Sequence, residues 1–187
     1  MSQPPQNVIL LSADAALAGQ AEKALGAGFP LDVVSAPDQV GDSVGDLMLV
    51  DHELGNGVIH EMVERRRWPI VVVAKTADEQ LIEQLLEIGV SDCVSMMGGE
   101  LGGLKRVVRR SLREWDLRSR FERSEAALRE SEQRLRTIVE SEPECVKLLA
   151  ADCTLLDMNP AGLEMIAAES LDQVKGLNTL DLLDPAY

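Results

Sequence analysis

The sequence predicts an α/β fold built on a five-stranded parallel sheet, followed by one long helix and a smaller α+β module. Three observations carry that prediction. Leu47-Met48-Leu49-Val50 runs apolar without a break and stops at Asp51, and Pro69-Ile70-Val71-Val72-Val73 is a second such run, rich in β-branched residues. Short unbroken runs bounded by turn residues suit strands buried on both faces of a parallel sheet. Apolar runs then alternate with helical patterns over residues 7–113, the rhythm of strand–helix units with right-handed crossovers. Finally, Leu104 to Glu140 contains neither glycine nor proline.

The elements follow in order. Asn7-Val8-Ile9-Leu10-Leu11-Ser12 reads as a first strand, and Ala15 to Leu25 as an amphipathic helix stopped by Gly26 and Gly28. Leu31-Asp32-Val33-Val34 is a second strand, with Pro37 to Val44 a short helix after it. Asp46 to Asp51 is the third, followed by Gly55-Asn56-Gly57 and a helix carrying Val58, Ile59, Met62 and Val63. The Pro69 run is the fourth strand. Asp78 to Ile88 repeats leucine and isoleucine at helical spacing until Gly89. Cys93 to Met97 is the fifth strand, and Gly98-Gly99 precedes the long helix. In parallel sheets of this kind the functional crevice lies at the carboxyl ends of the strands, which is where Asp51 falls.

Charge separates the segments. The 187 residues carry a net charge of −14: residues 1–103 hold 5 basic and 16 acidic side chains, 104–142 hold 11 and 8, and 143–187 hold 2 and 8. The two acidic ends argue against nucleic acid as a partner. No apolar run approaches the roughly 20 residues of a membrane helix, so no membrane partner is expected. The start, MSQPPQN, has no basic or apolar signal, which points to a cytoplasmic protein. Cys93, Cys145 and Cys153 lack paired metal spacing and read as reduced, buried structural thiols. His52 and His60 stand eight residues apart with no acid or cysteine grid around them, so His52 is expected at a pocket rim and His60 on an exposed helix face. Gly98-Gly99 and Gly102-Gly103 lack the spacing of a nucleotide loop.

Four pieces occur in a particular order: Ile9-Leu10-Leu11, Asp46 to Gly57, Trp68 to Val73, and Leu85-Leu86-Glu87-Ile88-Gly89-Val90-Ser91-Asp92. Their order and spacing resemble a response-regulator receiver domain. The resemblance implies a flavodoxin-like, doubly wound sheet of order 2-1-3-4-5. It also implies a phosphoacceptor at Asp51 and a magnesium site using Asp51 and the acid pair after the first strand, which here reads Ala13-Asp14. The family's hydroxyl after the fourth strand falls at Ala74, with Thr76 two residues on. Its lysine–proline falls at Met96-Met97, and its aromatic switch residue at Cys93. Phosphoryl transfer to a carboxylate needs a hard cation and donors for the phosphoryl charge. Ala13, Ala74 and Met96 remove most of that equipment, and losing one charged donor of this kind costs about two to three decades in rate. Asp51 therefore has two readings: a phosphoacceptor in a poor pocket, or a solvated or capping acid at a strand end.

In the long helix, Phe121, Leu128 and Leu135 recur every seven residues, with Leu117 and Ile138 at the alternate seam positions and Ser124 and Ser131 at the other two. A helix of about 37 residues is roughly 55 Å long, too long for one small domain to cover. A parallel homodimer is the simplest partner arrangement, and a solvated helix laced with Glu–Arg pairs is the alternative.

Beyond it, Cys145-Val146-Lys147-Leu148-Leu149 and Thr154-Leu155-Leu156-Asp157-Met158 read as strands, and Asn159-Pro160 opens a helix with Leu163, Met165 and Ile166. Leu155 to Leu163 resembles the second strand and following helix of a PAS sensory domain, and Leu135 to Glu142 the helix leading into one. The resemblance covers about residues 138–187, the first half of such a domain, so a fragment of a longer protein is expected. Gly176-Leu177-Asn178-Thr179 resembles a flavin photosensor motif, with Thr179 where that family has its reactive cysteine; no flavin adduct is expected, and the resemblance identifies no ligand.

The domains expected are thus a receiver-like 1–103, a helical 104–141 and a truncated PAS module at 142–187. The function expected is signal transduction, in which a degenerate, phosphate-independent receiver acts through a dimeric helix on a PAS sensor. A genuine phosphorelay receiver and a pure docking scaffold are the alternatives. No nucleophile–base pair emerges, so no enzyme is expected here; the expected partner is a histidine kinase or a downstream output domain, and any catalytic output would lie beyond Tyr187.

Overall fold

The computed structural model describes residues 6–42, 44–65, 67–96 and 100–179. Met97, Gly98, Gly99 and the last residues of the PAS-like stretch, 180–187, lie outside the described residues. The chain divides into two compact units, Met1–Arg120 and Phe121–Tyr187.

The first unit is a five-stranded, wholly parallel sheet of order β2-β1-β3-β4-β5. Its strands are β1 (Val8–Leu11), β2 (Leu31–Val34), β3 (Leu47–Asp51), β4 (Ile70–Ala74) and β5 (Asp92–Ser95). The helices between them are α1 (Ala15–Leu25), α2 (Asn56–Arg65) and α3 (Glu79–Glu87), and α4 (Leu104–Ser141) follows β5. Every residue of β1, β3 and β4 is buried, which is why these strands are written as continuous apolar runs.

Alternate residues serve two cores. Val8, Leu10, Leu47, Leu49, Val71 and Val73 pack with Leu17, Ala21 and Leu25 of α1 and with Leu104, Val108 and Leu112 of α4. On the other face, Leu11, Met48, Val50, Ile70 and Val72 meet Ile59, Met62 and Val63 of α2 and Leu85 of α3. Gly45 lets β1 and the entry to β3 close together: a Cβ there would lie 2.6 Å from Ile9 Cδ1.

The differences from expectation are local. Pro37–Asp42 forms a 3-10 turn, shorter than the predicted helix to Val44. β5 starts one residue early, at Asp92, and stops at Ser95, so Met96 lies beyond the strand although its N–H still reaches Ala74 O at 3.0 Å. The three cysteines are half-buried and unpaired, not fully enclosed. Burial pushes the Cys93 thiol up to about 11, with the neighbouring Asp92 charge adding to it. No helix is long and apolar enough to cross a membrane among the described residues.

The second unit contains an antiparallel pair, β6 (Lys147–Leu149) and β7 (Leu155–Met158), then α5 (Pro160–Met165). Leu155, Met158 and Val174 form its small core with Cys145, Leu149, Leu163 and Leu171. β6 begins two residues later than the sequence pattern predicts because Val146 N–H goes to the Asn159 side chain at 2.9 Å. Thr154 is likewise outside β7 and bridges Asn178 instead.

Candidate functional site

Sheet register decides what surrounds Asp51. β1 and β3 pair with Leu11 opposite Val50, so the next residue of each chain, Ser12 and Asp51, comes side by side at the carboxyl edge. Ser12 Oγ donates to Asp51 Oδ2 at 2.7 Å, and Glu53 N–H donates to Asp51 Oδ1 at 3.0 Å. Asp51 is 6% exposed, and its carboxylate caps the 3-10 turn His52–Leu54 that carries the chain into α2. A buried carboxylate is tolerated when both oxygens are met by donors, and here both are.

Among the described residues, none of the remaining predicted positions bonds to the Asp51 carboxylate. Asp14 is the N-cap of α1: its Oδ1 accepts from Ala16 N–H at 2.8 Å and Leu17 N–H at 3.4 Å. Asp14 N–H in turn donates to Ser12 Oγ at 3.0 Å, which fixes the hydroxyl that faces Asp51. Ala13 is exposed and supplies no ligand. Ala74, at the end of β4, is buried and has only a methyl group to offer; Thr76 is exposed. Lys75, the cation nearest in sequence, pairs with Glu53 at 3.2 Å with both side chains more than half exposed. Met96 packs against the apolar core on the α1 side.

A hard divalent cation needs several oxygen ligands converging on one point. Among the described residues no three His, Cys, Asp or Glu side chains converge in that way. Asp14 caps α1 and Asp51 is bonded to Ser12 and Glu53, so each carboxylate of the donor set read from the sequence already has protein partners. His52 is half-buried in the 3-10 turn, and His60 is exposed on α2 beside Glu64 at 3.5 Å. Neither joins a ligand cluster.

Three features escaped the sequence reading. One is Ser12, whose role depends on a neighbour 39 residues away. Another is the start of α4, where Lys105, Arg106, Arg109, Arg110 and Arg113 line a shallow cleft of about 630 Å³. There Arg110 pairs with Asp92, which raises the already high guanidinium pKa, and Arg109 lies over the Phe29 ring at 5.9 Å. The absence of acids from the helix's first turn was the available signal.

The third is Asn159, identified from sequence only as a cap. It is 3% exposed and meets five backbone groups. Its Oδ1 accepts from Val146 N–H at 2.9 Å and Gly162 N–H at 3.0 Å. Its Nδ2 donates to the carbonyls of Val139, Glu142 and Glu144 at 3.2, 3.0 and 2.8 Å. One amide thus ties the last turn of α4, the chain after it, the residue leading into β6 and α5 together. Thr179 Oγ1 donates to Cys153 O at 3.0 Å and is nearly buried, a structural use for the residue singled out in the flavin-like motif. The seam residues Leu117, Phe121, Leu128, Leu135 and Ile138 are 54–69% exposed along α4.

No family model matches this chain, and no curated protein does. Solved structures do. A response regulator from Thermotoga maritima aligns at 19% identity and a TM-score of 0.51, over 58% of this chain and 98% of that one. The signal receiver domain of a putative LuxO repressor protein from Vibrio parahaemolyticus aligns at 15% identity and a TM-score of 0.53, over 64% and 98%. A fusion carrying a yeast Spc42 trimeric coiled-coil segment aligns at 18% identity and a TM-score of 0.54, over 74% and 99%. At these identities the likeness is one of fold: the parallel sheet of the first unit has the receiver-domain architecture.

Proposed function

We propose that this chain is a regulatory module of a two-component type signalling protein, whose receiver-like unit works without phosphorylation of Asp51. The observation that carries this reading is the state of the Asp51 carboxylate, buried and bonded to Ser12 Oγ and Glu53 N–H. A phosphoacceptor must present a free oxygen to a cation and an incoming phosphoryl group. Here Ser12 and Glu53 already donate to those oxygens and compete for them, Ala74 has no hydroxyl, and Lys75 is paired with Glu53. The receiver fold is retained as a platform.

Its output runs through α4. The exposed Phe121, Leu128 and Leu135, one heptad apart, form an apolar seam that a second copy of the helix would cover, giving a parallel homodimer. Residues 142–187 are read as the opening of a PAS sensor, on the strength of the β6, β7 and α5 pattern and the Asn159-Pro160 helix start. We place the protein in the cytoplasm, with no catalysis in these residues and a histidine kinase or output domain as the partner.

The test is intact-mass analysis after incubation with a small-molecule phosphodonor and magnesium, with Asp51→Asn as control and a competent receiver run alongside. No phosphate-sized gain is expected. A gain on the parent that Asp51→Asn abolishes would establish a phosphorelay receiver and refute the reading.

A further inference from the structure

The geometry of α4 points to a particular helix pair: two copies in parallel and in register, selected by Arg120 of one chain against Glu125 of the other. This inference rests on the parallel dimer reading above and adds its register and the residues that choose it.

The apolar seam places Phe121, Leu128 and Leu135 at position a of the heptad, with Leu117, Ser124, Ser131 and Ile138 at d. The flanking positions follow. Position g holds Arg120, Ala127 and Arg134, and position e holds Glu125, Glu132 and Val139. The seam therefore has one basic flank and one acidic flank. In a parallel pair, each g residue faces the e residue of the partner's next heptad. Arg120 then meets Glu125 of the second copy twice per dimer, and no like charges face each other from Phe121 to Ile138. In an antiparallel pair, g flanks face g and e flanks face e. With Ser124 set against Leu135, Glu125 would stand against Glu132 twice, and Arg134 would meet Ala127 and gain no acid.

The layers agree with the flanks. A parallel pair stacks like on like: phenylalanine on phenylalanine, leucine on leucine, and the small serines on each other. An antiparallel pair sets each a residue against a d residue, so Ser124 faces Leu135 and Leu128 faces Ser131. Leu128 and Leu135, two of the three seam leucines, would then lose an apolar partner. The helix itself holds the charges ready. Arg120 pairs within its own helix with Asp116 at 3.0 Å, and its side chain is 71% exposed; Glu125 pairs with Arg129. Exposed i, i+4 pairs of this kind are weak and rearrange easily.

The experiment uses the full chain. Sedimentation equilibrium is run on the parent, Arg120→Glu, Glu125→Arg and the double swap, with circular dichroism to check that the helix persists. Each single swap should weaken dimerisation by about tenfold, and the double swap should recover most of it. Orientation is read by oxidative cross-linking over the parent's background. Ser124→Cys alone should form a covalent dimer, and a mixture of Ser124→Cys with Leu135→Cys chains should give no excess of the mixed species. A monomer at every concentration would remove the dimer reading itself. A dimer that cross-links only as the mixed species, or swaps that do not rescue, would overturn the parallel, charge-selected pair alone. A trimeric mass would overturn the two-copy assignment.

Discussion

Replacing Asn159 with alanine removes an amide that joins four segments of the second unit. Two backbone N–H groups, of Val146 and Gly162, lose their acceptor, and three carbonyls, of Val139, Glu142 and Glu144, lose their donor. The cap of α5 alone is worth about 1 kcal/mol. A buried N–H left without a partner costs about 1–3 kcal/mol, and the freed carbonyls can in part turn to water. The two amide hydrogens are shared among three acceptors, so the donor side counts as about two bonds of 1 kcal/mol each. A loss of about 3–4 kcal/mol follows for the second unit, a large part of what a unit this small can hold. Hydrogen–deuterium exchange with peptide-level readout on the full chain measures it. Asn159→Ala should speed exchange both at 139–146 and at the start of α5, leaving β1, β3 and β4 unchanged. Asn159→Asp keeps the acceptors and removes the donor, so it should loosen 139–144 while the α5 start stays protected. Unchanged exchange at 139–146 in both variants would refute the role assigned to the amide.

Other outcomes follow from the same packing. Ser12→Ala removes the hydroxyl that meets Asp51 Oδ2 and should destabilise the first unit by about 2 kcal/mol, because the bond is to a buried charge; urea unfolding measures it. Gly162→Ala should cost about 1–3 kcal/mol in the second unit, since the added Cβ would lie 2.6 Å from Met158 Cγ and 2.9 Å from Cys145 Sγ, and exchange at α5 reports it. The Cys93 thiol, raised from 9.0 to about 11 by burial and then by Asp92, favours the folded state only while protonated. Its contribution is present in full below about pH 9 and is lost as the pH rises through 11, so stability should fall over that window and Cys93→Ser should flatten the fall. Alkylation of Cys93 near pH 8 should lag behind that of a free thiol for the same reason.

The strands and helices of the first unit were legible because each is a local pattern. Continuous apolar runs marked β1, β3 and β4 as doubly covered, and leucine spacing marked α3. Strand order came from a resemblance, since periodicity says nothing about which strand lies beside which; the observed β2-β1-β3-β4-β5 agrees with it. Chain ends of elements shifted by a residue or two where a side chain took a backbone partner, as Asn159 takes Val146 N–H.

The sequence by itself determined the α/β alternation, the uninterrupted α4 and the residue types at the strand end, because these depend on neighbours three or four positions away. Only the tertiary structure decided which partners those residues take. Asp14 was read from the sequence only as a metal ligand, and in the fold it caps the start of α1. Asp51 had a neighbour 39 residues distant, and the register of β1 on β3 brings Ser12 there. Hydrogen bonds across such separations are set by which backbones pair, and backbone pairing is a property of the folded sheet.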